Sequence, residues 1–503
     1  MLEDRPDWCI SRQRAWGTPI PLFVRKDNGQ LHPETLDLLE IIAKKVEKQG
    51  VDAWFESEIA DFLKPEEVDL YDRVLDTLDV WFDSGVTSFA VLERREDLAF
   101  PADIYLEGSD QYRGWFQTSL LTSIARSGQA PFRKIITHGF TVDEQGRKMS
   151  KSIGNVIEPQ KVIEKLGADI LRLWIASTEF RQEMSVSDEI FKRVSESYRR
   201  IRNTFRFLLA NLHDFDLRKN KISLDQLVFL DRYILNKALI LQKELMDLYE
   251  KNLFHLVVQK IHQFCSTDLG GFYLDIIKDR QYTCHQDNLA RRSAQTVMHL
   301  ILNAMVRWIA PILSFTAEEI WGYLRDKNLT LINNNSDEEE SVFLTNWLED
   351  LSLGEGAQTR ENDLMLSDSG SVLLKLRDRV NLNIEEARNA GLIGAGLEAE
   401  VHIEAPRDIY FLLKKFEKEL KFLFIVSNVD LKERIQEENC SGYASETGQN
   451  SSDFFIKITK SDYLKCDRCW HRVESVGQSQ EHPSICNRCI ENLSAPGEMR
   501  AYF

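Results

Sequence analysis

Nowhere in its 503 residues does the chain hold an apolar run of the ~20 residues that a membrane-spanning helix needs. Its first residues, MLEDRPDWCISRQRAWG, lack the apolar core and the small-residue cleavage site of a signal peptide. They are also neither Arg-rich nor acid-poor, as a transit peptide is. A cytoplasmic protein with no membrane association is therefore expected. Basic residues are in deficit: 63 Lys and Arg against 80 Asp and Glu give a net charge of −17. That excludes a generally basic nucleic-acid coat and leaves room for local basic patches. No internal repeat is visible. Cysteine is sparse, and half of it is clustered. Cys9, Cys265, Cys284 and Cys440 are scattered, whereas Cys466, Cys469, Cys486 and Cys489 lie close together. In a long cytosolic chain such a cluster reads as a metal site sooner than as disulfides.

What is present is ordinary for a soluble globular protein: 43% hydrophobic and 28% charged residues, in a length that accommodates about three or four domains. Residues 1–185 alternate β-rich runs with helical ones. ADIYLEGSD (102–110) reads as a strand entering a polar turn, RGWFQTSLLTSIARSG (113–128) as a helix with a Gly C-cap, and RKIITHGF (133–140) as a second strand. EPQKVIEKLG and ADILRLWIAS follow as helices. This is an α/β pattern, with ligands expected at the strand C-termini. From Ser187 to about 330 the chain reads as a helical bundle. Ile190, Val194, Tyr198, Ile201, Phe205 and Leu208 recur at helical spacing after a Ser N-cap, with Arg199, Arg200, Arg202 and Arg206 largely off that face. Further helices are predicted over 228–250, 254–280, 288–309 and 314–326. INNNSDEEES (332–341) reads as an acidic loop, 370–432 as a small α/β region, and 437–453 as a polar linker. The expected domains are 1–185, 186–350, 351–453 and 454–503.

Three constellations carry chemistry. Cys466-x-x-Cys469 and Cys486-x-x-Cys489, 16 residues apart, have the spacing of a closed, structural, four-thiolate zinc site holding one zinc per chain. Four Cys complete that sphere, which leaves His471 and His482 as surface residues. Trp470, Arg472 and Arg488 flank the knuckles; packing and nucleic-acid contact both account for them. The second constellation is HGFTVDEQGRKMSKSIGN (138–155). Lys148 and Lys151 follow a strand end at His138 and a turn at Gly146, placed to close on a polyphosphate. The third is LEGSDQYRGWF (106–116), where Glu107, Gly108, Asp110 and Gln111 form a polar row at a strand end, suited to an amino group and ribose hydroxyls. Trp115 and Trp81, the latter in DVWFDSG (79–85), are nearby aromatics for which core packing is the simplest explanation.

KMSKS, formed by Lys148, Met149, Ser150, Lys151 and Ser152, resembles the signature loop of class I aminoacyl-tRNA synthetases. With DWCISRQRAWGTPIP, DTLDVWFDSG, YLEGSDQYRGWF, FYLDIIKDRQYT, MVRWIAPILSFTAEEIWGYL and KCDRCWH…ICNRC, the chain is similar to the bacterial isoleucyl type over nearly its whole length. Valyl enzymes share a segment like DWCISRQ, but the GWF helix and the Cys-rich end favour the isoleucyl type. The resemblance implies a multidomain protein. It would comprise a partial Rossmann-like catalytic fold, a helical anticodon-binding domain, a junction region and a zinc-binding tRNA-contact module. It implies an isoleucine–tRNA ligase, with isoleucine, ATP with Mg, and tRNA-Ile as substrates. Glu107 is then the contact to the amino group of isoleucyl-adenylate, and Gly108, Asp110 and Gln111 hold the adenylate and its ribose. Trp81 and Trp115 wall the isoleucine side chain, and Lys151, Lys148 and His138 serve ATP. Tyr112 stands where many relatives carry His and receives no role. Ten His occur and none begins the family's His-x-Gly-His motif; the editing insertion is not found either. The chain therefore reads as the C-terminal half of such an enzyme, a monomer that could associate with a separate N-terminal half. The alternative is a tRNA-binding fragment without catalysis.

Overall fold

The computed structural model describes residues 7–331, 339–348, 368–434 and 454–503. Cys440, the predicted linker and most of the predicted acidic loop lie outside them. The chain forms two compact units, Met1–Lys148 with Phe180–Ser185, and Met149–Glu179 with Val186–Phe503.

The first unit is built from short β pairs and helices. β1 (Ser11–Arg12) pairs antiparallel with β4 (Thr77–Leu78), and β2 (Phe23–Arg25) with β3 (Tyr71–Arg73). α1 (Thr35–Gln49) and α2 (Asp52–Glu56) close over β2 and β3 around a core of Phe23, Leu38, Ile42, Trp54, Leu63 and Tyr71. After α3 (Val80–Gly85) come the elements that carry the polar row. β5 (Ala102–Gly108) and β6 (Phe132–His138) are parallel, joined by α4 (Trp115–Ser127), which ends at Gly128 as predicted. β7 (Thr141–Val142) pairs parallel with β8 (Met184–Ser185). Gly139 makes that return tight: a Cβ there would stand 2.0 Å from the Gln182 carbonyl oxygen, so only glycine fits.

The second unit opens with α5 (Pro159–Leu166), whose proline sits in its first turn, and α6 (Ala168–Ser177). The bundle follows: α7 (Asp188–Asn211), the short α8 (Leu217–Asn220), α9 (Phe229–Glu250), α10 (Phe254–Gln263), α11 (Leu274–Thr283), α12 (Leu289–Ile309) and α13 (Ser314–Asp326). The Ser187 hydroxyl accepts from the Ile190 amide, which makes it the N-cap that the sequence predicts for α7. α12 is the axis of the core, buried almost along its whole length. The helix expected over 254–280 is interrupted. Residues Phe264–Tyr273 form a wider π-type turn that includes Gly270, where a Cβ would lie 2.9 Å from the Cys265 carbonyl.

α14 (Asp368–Asn389) leads to a three-stranded sheet. β9 (Ala399–Ala405) is its centre. It connects through α15 (Arg407–Lys414) and α16 (Leu420–Phe424) to the parallel β10 (Asn428–Glu433). Its other edge is taken by β11 (Phe455–Lys460), antiparallel, with Ile456 opposite Ile403. Ala399, Val401, Ile403 and Ala405 alternate into the core, so one face of the sheet is fully covered. Residues 455–460, grouped by sequence with the cysteines, thus form part of the sheet that begins at 399. The cysteine module, with α17 (Asn487–Glu491), completes the unit.

Candidate functional sites

The polar row sits at the C-terminal end of the parallel pair. Gly108 and His138 are register partners on β5 and β6, and the His138 ring lies 3.7 Å from the position a Gly108 Cβ would take. Glu107 and Asp110 are exposed and Gln111 is half-buried. The Gln111 side chain bridges, with its amide 3.3 Å from Asp110 and its oxygen accepting from the Trp115 amide at 3.1 Å. Gly114, not singled out from the sequence, is the close approach that makes this possible: a Cβ there would stand 2.7 Å from Gln111 Oε1 and 2.8 Å from Trp81 Cη2. Trp81 therefore lies against the same turn as Gln111, with 42% of its surface exposed.

Trp115 is held by packing. It stacks on Tyr105 at 4.1 Å between ring centroids, and its indole N–H donates to the Ser84 carbonyl at 3.0 Å. One of its faces is therefore taken up inside the fold. Tyr112 is exposed, edge-on to Phe116.

The lysine loop spans the boundary of the two units. On the first, Asp143 accepts from the amides of Gln145 and Arg147 and from Arg147 Nε at 2.9–3.1 Å. The Lys148 ammonium rests 3.8 Å from the centroid of the Phe140 ring, a cation–π contact. On the second, Ser150 organises Met149–Asn155. Its amide donates to Asn155 Oδ1 at 2.9 Å, and its hydroxyl lies 3.0 Å from that of Ser152. Lys151 is exposed at the tip. Asn155 is the residue that sequence reasoning passed over, although a polar residue after a Gly at a loop end is the mark of such a turn.

The four cysteines meet. Their Sγ atoms lie within 4.8 Å of one another, all buried, with Cys466–Cys489 at 3.8 Å and Cys469–Cys486 at 3.7 Å. A tetrahedral zinc with Zn–S bonds of ~2.3 Å sets its sulfurs about 3.8 Å apart, so the donors fit zinc. Sharing protons so closely, the thiols split: Cys469 and then Cys489 pull Cys486 down, while Cys469 and Cys486 push Cys489 up. A dication removes that conflict.

His471 is not the surface residue the sequence suggests. It is buried, with Nδ1 3.2 Å from the Cys469 carbonyl, and it stands outside the ligand set. Arg488 is likewise turned inward: it grips Asp279 through both nitrogens at 2.7 and 2.9 Å and is not displayed for RNA. Arg472 is half-buried and lies 3.4 Å from Glu398. Trp470 projects, 59% exposed, with the Lys465 ammonium 5.0 Å from its ring. On α7, Arg202 is committed to Glu319 at 2.8 and 3.0 Å, whereas Arg199, Arg200 and Arg206 are exposed.

Comparison with known proteins finds three matching families along the chain. Residues 1–187 match the family described as tRNA synthetases class I (I, L, M and V), 231–403 the anticodon-binding domain of tRNA ligase, and 464–492 the zinc finger found in FPG and IleRS. The isoleucine–tRNA ligase of Methylococcus capsulatus is 50% identical over 508 aligned residues, and that of Nitrosococcus oceani 51% over 503. Each alignment covers 100% of this chain and 51% of the relative, so the chain spans about half the length of the curated relatives it matches. Among the described residues no helix is long and apolar enough to cross a membrane.

Proposed function

Because this chain belongs to the class I tRNA synthetases, in line along its whole length with bacterial isoleucine–tRNA ligases, we propose that it supplies about half of such an enzyme. That half would comprise the lysine loop, the polar row and the tRNA-binding region. The reaction is ATP plus isoleucine giving isoleucyl-AMP and pyrophosphate, then transfer of the isoleucyl group to the terminal ribose of tRNA-Ile with release of AMP. Positioning and stabilisation of the departing pyrophosphate charge are the chemistry required.

The observation that carries this reading is the Glu107–Gln111 row, set at the C-terminal end of two parallel strands and braced by Gly114 and Trp81. Glu107, exposed there, faces the amino group of the adenylate. Gly108, Asp110 and Gln111 hold its ribose. Trp81 and Trp115 wall the isoleucine side chain, Trp115 being held by its stack on Tyr105. Lys151, on a turn fixed by Ser150 and Asn155, follows the phosphate charge as it moves; Lys148 and His138 support it. The zinc is structural, one per chain. The proposed setting is the cytoplasm. Isoleucine-dependent ATP–pyrophosphate exchange is the test, on this chain alone and mixed with the N-terminal half of the Methylococcus enzyme. No exchange alone, exchange on mixing, and its loss with Lys151→Ala are expected. Exchange in neither case, with tRNA still bound, points instead to a tRNA-binding chain without catalysis.

A further inference from the structure

The zinc module and the helical bundle share a buried ionic cluster. At its centre is Asp279 on α11, 16% exposed at the side chain. It takes both nitrogens of Arg488, which stands on α17 between two metal-ligand positions, and also receives Arg500. Arg488 and Arg500 both reach Glu498, at 3.1 and 2.8 Å. Glu498 is held in turn by Asn492 at 3.0 Å, and its backbone carbonyl by Asn288, the N-cap of α12, at 2.7 Å. The Arg500 guanidinium lies 3.6 Å from the centroid of the Phe422 ring on α16, and the His471 ring meets the same ring edge-on. Arg468, between Cys466 and Cys469, donates to the Thr283 carbonyl at the end of α11. Both knuckles are therefore tied to one helix of the bundle.

Nothing in zinc binding alone requires this. Four thiolates suffice to hold the metal, and a module folded by metal needs no buried carboxylate from a helix some 200 residues earlier. A buried charge pair is costly to assemble and more costly to break, and its best-attested use is to fix one arrangement among alternatives. Here the arrangement fixed is that of the knuckle carrying exposed Trp470 and Lys465 relative to the bundle.

We propose that Asp279 is a positioning residue that couples the zinc site to the helical bundle, so that zinc occupancy and bundle order reinforce one another and the two form one RNA-reading surface. The RNA-reading part rests on the tRNA assignment above; the coupling does not. Coupling is reciprocal: whatever α11 contributes to holding zinc, zinc contributes to holding α11.

The experiment uses the full 503-residue chain. In wild type, hydrogen exchange over 274–283 is followed with zinc bound and after chelation, without RNA. Zinc release to a chelator is then timed for wild type, Asp279→Asn, Arg500→Gln, and Glu319→Gln, which breaks an ion pair elsewhere on the bundle. Expected are faster exchange in 274–283 once zinc is removed, and release about 10-fold faster or more in the first two variants, the scale of outer-shell effects on metal sites. Glu319→Gln releases zinc at the wild-type rate. Exchange in 274–283 that is indifferent to zinc overturns the coupling, as does wild-type release from both folded variants. A third arm measures tRNA-Ile against an anticodon-swapped version. Asp279→Asn, still zinc-loaded, should discriminate less than wild type, and unchanged discrimination overturns the shared reading surface. Wild type that binds neither tRNA overturns the tRNA assignment and leaves the coupling to the first two arms.

Discussion

Asp169 caps the helix that contains Thr316: its Oδ2 accepts from the Thr316 amide at 2.7 Å and the Thr316 hydroxyl at 2.6 Å, and its Oδ1 from the Phe315 amide at 3.3 Å. The first turn of α13 thus has its unpaired donors met by a carboxylate from α6, placed where the helix dipole favours negative charge. Arg172, one turn later on α6, adds hydrogen bonds to the Pro311 and Ile312 carbonyls. The segment carrying Lys151 is therefore anchored in the bundle's own frame. Asp169→Ala should lower unfolding stability by about 1–2 kcal/mol, the usual scale for a lost cap. Asp169→Asn, which keeps one acceptor, should cost less. Urea midpoints of the three proteins check this, and equal midpoints would refute it.

One zinc per chain is expected from elemental analysis of protein made in metal-free buffer. Replacing Cys466, Cys469, Cys486 and Cys489 together by Ser should remove it. Retention of full zinc in that variant excludes these thiols as the ligands.

Stability should fall on mild acidification. Burial pushes the His299 imidazole down to about 4, against the opposing effect of its hydrogen bond to the Leu329 carbonyl. In the unfolded chain the group titrates near ~6.5. Between these values the unfolded chain binds the proton and the folded one does not. The stabilisation is thus present above the unfolded value and is lost as pH falls towards 4, by about 3 kcal/mol in all. His262, also lowered by burial, acts with the same sign. Denaturant midpoints at pH 7.5 and 5.0 measure the drop, and His299→Gln should flatten it.

Binding of tRNA-Ile should weaken steeply with salt, since a chain of net charge −17 attracts RNA only through local patches. The triple change of Arg199, Arg200 and Arg206 to Ala should reduce the slope of log affinity against log salt by about 2. Arg202→Ala should change it little, because that charge is already paired with Glu319. Discrimination must come from bases splayed out and read individually, so an anticodon-swapped tRNA should bind more weakly at one fixed salt concentration. Equal affinity for both would sink the anticodon assignment.

Much of the local structure was legible in the sequence. The Gly at 128 and the Ser at 187 end and begin helices where their backbone preferences say they should. The Cys spacing announced four sulfurs around one point. What stayed hidden was direction. His471 read as a surface residue because polar side chains usually are, and for Arg488 the sequence left packing and nucleic-acid contact equally open. Only the fold brings Asp279 under them, and in DIIKDRQYT that aspartate looks like any solvated helix charge. The widened turn at 264–273 was hidden for a similar reason: the apolar spacing on either side of it remains helical.

The central place of β9 has a consequence for synthesis. Its parallel neighbour, residues 428–433, emerges soon after it, but the strand for its other edge, 455–460, lies about 50 residues downstream. At ~5–20 residues per second the ribosome takes on the order of several seconds to deliver it. Until then one edge of an apolar strand stands open in the nascent chain, next to every other chain on the same message. Glu400 and Glu404 alternate with Val401 and Ile403 on that strand, and like charges at such positions disfavour pairing with a neighbouring copy.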